Sequence, residues 1–168
     1  MRAPVVLHLF EIVQEWPISI AIRESLWVYP VIETAHVLGI CVFLGLVAMM
    51  DLRLAGAAMR TVPLTEVQQR LFPWQMAGLA VMVASGLLLV FSEPLRFYDN
   101  PFFRAKVVLL ALSIVNAGVF HLTIYRRVAD WDTDPVPPRP ARLAGIFSLM
   151  LWTGVVTTGR LIAYNWFK

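Results

Sequence analysis

The stretch "ETAHVLG", residues 33–39, sets Glu33 and His36 one helical turn apart inside a long apolar run. A carboxylate and an imidazole so placed can move a proton, ligate a metal or hold haem iron, and each is costly to bury in lipid. Other groups of the same kind lie further on. Lys106 and Asn116 share an apolar run with Ser113, while Arg160 and Tyr164 sit at i, i+4 spacing in the last one. His8 and His121 are the remaining imidazoles.

Helices that cross a bilayer must position these groups. The chain has 168 residues, of which 59% are hydrophobic and 15% charged, and its mean hydropathy of +0.70 is too high for a soluble domain. Roughly 20 apolar residues of helix cross a hydrocarbon core of about 30 Å. Four windows qualify, at residues 27–50, 72–92, 103–125 and 143–166. Short connections between them predict an all-α membrane protein, a four-helix transmembrane up-and-down bundle forming a single domain over 26–168. Residues 1–25 do not span, because Pro17 interrupts them and Glu11, Glu15, Arg23 and Glu24 are spread among apolar positions. Val5, Val6, Leu9, Phe10, Ile12, Val13 and Trp16 have helical spacing, which predicts a short interfacial amphipathic helix. The segment lacks the residue order of a cleavable signal peptide.

Side-counting of Lys and Arg gives the orientation. The first and third loops carry Arg53, Arg60, Arg70, Arg126, Arg127, Arg139 and Arg142, against Arg2, Arg23, Arg96, Arg104, Lys106 and Lys168 on the other side. The small excess places those loops in the cytoplasm of a bacterial inner-membrane protein, with both termini periplasmic. The first loop is expected to begin at Asp51, and the third, "DWDTDPVPPRP", to be extended and solvated. With basic residues flanking spans, the net charge of +3 points to anionic lipid rather than nucleic acid.

Depth follows from the helical rise. Glu33 and Arg160 each lie about 9 Å from the outer surface, Lys106 about 5 Å, His36 about 14 Å and His121 about 27 Å. The shared level predicts that Glu33 and Arg160 face inward and pair. It separates His36 from His121, which disfavours a bis-histidine haem between those helices. His36 alone, His36 with His8, or ligation across a subunit interface remain as ways to hold the iron. A di-iron site needs a second Glu-x-x-His and further buried glutamates, which the chain lacks. Copper would draw on Cys41, Met49, Met50, Met76, Met82 and Met150, although no M-x-x-M or C-x-x-C spacing occurs and methionine also fills cores. Neither a nucleophile elbow nor a phosphate loop is present.

At "LWVYPVIETAHVLG", "MMDLRLAG", "NPFFRAKVVLL", "LSIVNAGVFH" and "LWTGVVTTGRLIAY" the chain resembles an uncharacterised family of short four-span bacterial inner-membrane proteins. It is distantly similar to the CopD copper-resistance membrane domain and to HemJ-type protoporphyrinogen oxidases. That resemblance implies His36 and Lys106 as the matching residues, with Glu33, Asn116 and Arg160 belonging to the closer family's pattern. It implies b-type haem with quinone-coupled oxidation on the one hand, and copper handling beside a periplasmic protein on the other.

The expected function is therefore haem b or copper binding for redox or metal handling, at an outer-half polar site built from Glu33, His36, Lys106, Asn116, Arg160 and Tyr164. Two alternatives belong to other classes: a non-catalytic membrane subunit that recruits a periplasmic partner, and a small anion or proton carrier. Homo-oligomerisation is compatible with each.

Overall fold

A computed structural model describes residues 4–164, with side chains from Leu7 onward. Prolines start much of the structure. α1 covers Pro4–Gln14 and α2 Pro17–Glu24. α3 runs over Val28–Leu54, α4 over Leu64–Ser92 and the short α5 over Pro94–Asp99. α6 covers Pro101–Val119 and α7 Arg139–Ala163. Proline occupies the first turn of α2, α5, α6 and α7, where its missing N–H costs nothing and its fixed φ suits the helix. Asn100 caps α6, its side-chain oxygen accepting from the Phe102 and Phe103 amides at 2.9 and 3.3 Å. Beyond α6 the chain makes a π-helical turn over Phe120–Ile124 and a 3-10 helix over Tyr125–Asp130.

Four helical segments are long and apolar enough to cross a membrane: Val28–Leu54, Leu64–Ser92, Pro101–Asp130 and Arg139–Ala163. This is the make-up of a multi-pass integral membrane protein, all-α among the described residues. At one end the helices outrun the apolar windows of the sequence. α3 continues past residue 50 to Leu54, and α4 begins at Leu64 rather than 72. Asp51 and Arg53, expected in the first loop, belong to the last turn of α3 and are 5% and 0% exposed. A hydropathy window stops at the first charges, whereas a helix stops where its backbone does: here at Gly56, with φ of +71°.

The N-terminal segment forms two helices rather than one, divided before Pro17. α1 packs on α5, and α2 on the adjoining ends of α3 and α4. Phe10 meets Tyr98 at 5.3 Å between ring centroids, and Trp16 stacks on Phe91 at 6.4 Å. Together α1, α2 and α5 cover one end of the bundle.

Among the long helices α3 packs most closely on α4 and then on α7, and α6 packs on α7. Laterally the order is α4, α3, α7, α6. Small residues set the spacing. A Cβ on Gly78 would stand 2.9 Å from the Phe43 amide nitrogen, and one on Gly145 would stand 2.8 Å from the Asp51 carbonyl oxygen. The most buried apolar cluster lies at the loop end, where Met50, Leu54, Leu64, Val67, Phe120, Trp131 and Ala141 meet.

Candidate functional site

His36 lies on α3 where α3 crosses α4. Its ring rests on Gly86: a Cβ there would come within 3.0 Å of the imidazole Cε1, so glycine makes the seat. Its Nδ1 is 3.0 Å from the Met82 carbonyl oxygen and 3.1 Å from Ser85 Oγ. Ser85 donates its own hydrogen to the Val81 carbonyl at 2.5 Å, which leaves a hydroxyl lone pair facing Nδ1. A carbonyl only accepts, so Nδ1 carries the hydrogen. In the neutral ring Nε2 is then the bare lone pair, available to a metal, an iron or a donor proton.

Lys106 of α6 lies toward the same end of the bundle, against α7. Its Nζ would be 3.5 Å from a Cβ on Gly159. A second glycine thus gives room to a second functional side chain. Two helices supply the groups, His36 from α3 and Lys106 from α6, and two others supply the glycines beneath them.

The expected partnership of Glu33 with Arg160 is not made. Both residues are exposed, and no ion pair joins them. Arg160 instead donates to the Tyr164 hydroxyl at 3.1 Å, with its guanidinium 5.1 Å from the Tyr164 ring centre. Depth alone suggests the pairing, but charges so near the surface reach polar surroundings along their own stems and need no internal partner. Asn116 donates to the Ala144 carbonyl at 3.0 Å and so ties α6 to α7, ten residues beyond Lys106. His8 stays on the exposed side of α1, 3.6 Å from Glu11. His121 is exposed in the π turn, against the rings of Phe120 and Tyr125. Of the sequence candidates, His36 and Lys106 each rest on a glycine of a neighbouring helix toward one end of the bundle, while Asn116 ties α6 to α7 and His8 and His121 stay exposed.

At the loop end the structure buries charges that sequence reasoning puts in water. Arg53 Nε donates to the Val62 carbonyl at 2.9 Å, and one terminal nitrogen to the Asp132 and Asp134 carbonyls at 3.2 and 3.1 Å. Asp132 in turn accepts from the Thr65 amide and hydroxyl at 2.8 and 2.7 Å, fixing the start of α4. Arg53 Nη1 and Asp51 Oδ2 are buried without a hydrogen-bond partner among the described residues. The signal for this is Gly56 in "MMDLRLAG", a helix-stop residue lying beyond both charges. Among the described residues no three His, Cys, Asp or Glu side chains are grouped to hold a metal ion.

Comparison with known proteins gives one match. No curated protein and no solved structure matches the chain, and the likeness to CopD and HemJ is not shown. A family of unknown function (DUF6644) matches residues 27–165, from the start of the first span to the end of the last. Since that match takes in all four spans, with His36, Lys106 and the buried loop-end charges, the chain belongs to the family of unknown function DUF6644.

Proposed function

We propose that the protein is a membrane haem b protein with a redox role, in which His36 Nε2 is the protein ligand to the iron. The observation that carries this reading is the 3.0 Å contact of His36 Nδ1 with the Met82 carbonyl. Ligating histidines characteristically donate their other N–H to a carbonyl or carboxylate, which fixes the tautomer and aims the free nitrogen. Haem suits the surroundings better than a bare copper ion. A porphyrin brings four nitrogens and asks for one imidazole, whereas copper needs a set of protein ligands that is not grouped among the described residues. Lys106, nearer the end of its span, would hold a propionate. Electron exchange with a quinone in the bilayer fits a protein whose surface is largely lipid-facing. The packing-subunit reading depends on a locked Glu33–Arg160 pair and loses that support.

The test is absorbance of the purified protein after expression with ample haem supply. A Soret band with equimolar haem is expected, lost in His36→Ala while the elution profile and helical content are kept. A colourless, haem-free wild type, or an unchanged spectrum in His36→Ala, overturns the reading.

A further inference from the structure

A second site lies at the opposite end of the bundle from His36. Between the π turn and 3-10 helix that follow α6 and the start of α7 runs an open groove of about 640 Å³, lined by Thr123, Ile124, Arg126, Arg127, Trp131 and Pro140. We propose that this groove binds an anionic phospholipid, its phosphate held by Arg126 and Arg127 and its acyl chains laid along α6 and α7.

Five observations converge on that occupant. Arg126 and Arg127 are exposed, and neither makes a hydrogen bond or ion pair among the described residues. One carboxylate, Asp130, shares the lining with them, so the groove carries a net positive charge that an anion complements. The groove also sits where one span ends at Asp130 and the next begins at Arg139, which is headgroup level. From it exposed apolar side chains lead toward the membrane interior: Leu122 in the π turn, Val119 at the end of α6, Leu143 and Phe147 on α7, each 54–62% exposed. Finally, the wall is built in advance. Trp131 is 8% exposed in the loop-end core, and the adjoining Asp132 is anchored to Thr65 by two hydrogen bonds.

The apolar part of the lining selects against a free phosphate ion. Such an ion would surrender water to aliphatic and aromatic carbon without return, whereas a lipid brings its own glycerol and acyl surface. The helical irregularity is part of the device. A π turn followed by 3-10 backbone, with Arg127 at φ −107° and ψ 22°, carries two consecutive arginines to the one groove.

Native mass spectrometry of the full chain in detergent, with phosphatidylglycerol or phosphatidylcholine added, decides the matter. The wild type is expected to retain phosphatidylglycerol at collision energies that strip phosphatidylcholine. Arg126→Gln with Arg127→Gln should weaken that retention about fivefold per charge removed. Arg70→Gln with Arg142→Gln, which removes two charges at the same end but outside the groove, should leave it unchanged. Equal retention of the two lipids by the wild type overturns the proposal, as does equal loss in the two double variants. So does displacement of the lipid by millimolar inorganic phosphate, which would make the site one for the ion.

Discussion

Two arginines in this chain show how position changes what one residue type does. Arg160 is exposed near the end of α7 and touches Tyr164 just beyond that end. Arg53 is fully buried and donates to three carbonyls from two separate loops, so it organises the backbone between the spans. Hydrogen bonds from a charged donor are worth roughly 1.5–3 kcal/mol each, and a buried acceptor left without its donor adds a desolvation cost. Arg53→Gln should therefore cost about 3 kcal/mol or more and lower the thermal midpoint of the detergent-solubilised protein by several degrees. Arg160→Gln should stay within about 0.5 kcal/mol, as surface changes usually do. Equal midpoints for the two variants would show that the loop carbonyls do not depend on Arg53. Sequence reasoning ranks these residues in the opposite order. Helical rise gives depth without azimuth, so it sets Glu33 and Arg160 on one level without showing whether they meet. Asp51 and Arg53 go to water when charge, rather than Gly56, is read as the end of the helix. His36 is legible as a site residue because a lone imidazole deep in an apolar run is too costly to bury without a partner or a task. The carbonyl that fixes its tautomer comes from Met82, 46 residues away, and no local pattern announces it.

At the scale of the elements, glycine separates the faces that pack from the faces that meet lipid. Gly39 of α3 and Gly78 of α4 oppose the backbone or side chains of the neighbouring helix, and an added methyl at Gly78 meets the Phe43 amide nitrogen and Cα at 2.9 and 3.2 Å. Backbone cannot rotate away as a flexible side chain can, so Gly78→Ala must push α3 and α4 apart. The expected loss is about 1–3 kcal/mol, the usual cost of overpacking. Gly118 of α6 has nothing within 4 Å of its would-be Cβ. Gly118→Ala should accordingly be neutral or up to about 1 kcal/mol stabilising, since alanine is the better helix former. Unfolding followed by far-ultraviolet circular dichroism in detergent would measure both. A Gly78→Ala midpoint at or above wild type would mean that the α3–α4 contact is looser than described. The four long helices are legible from hydropathy, and the starts of α6 and α7 from proline, because both signals are local. The lateral order α4, α3, α7, α6 is not, since glycines at 39, 78 and 145 read the same whether they face a helix or lipid.

For the whole molecule the asymmetry between the two ends matters most. One end is covered by the short helices α1, α2 and α5. The other is closed by the 55–63 and 131–138 connections around Arg53 and Asp132, with the apolar cluster beneath them. His36 and Lys106 lie nearer the first end, and the Arg126–Arg127 groove opens at the second. Basic residues of the first and third loops exceed those of the opposite side by the small margin counted from sequence, and taking Arg53 and Lys106 out of the count, as both are withdrawn from the surface, leaves that excess unchanged. On that count the charge rule predicts a cytoplasmic loop end. Cysteine labelling in cells tests the arrangement, because Cys41 lies within α3 on an exposed, lipid-facing position. In the native chain a membrane-impermeant maleimide should leave Cys41 untouched. In a Cys41→Ser background, Glu24→Cys should react in intact cells and Ala57→Cys only after the membrane is opened. The reverse pattern would invert the protein, placing the His36 end toward the cytoplasm and the arginine groove in the outer leaflet. Labelling of residues 24 and 57 from one side would be graver, because α3 would then not cross the bilayer and the depth argument that isolates His36 from His121 would fall.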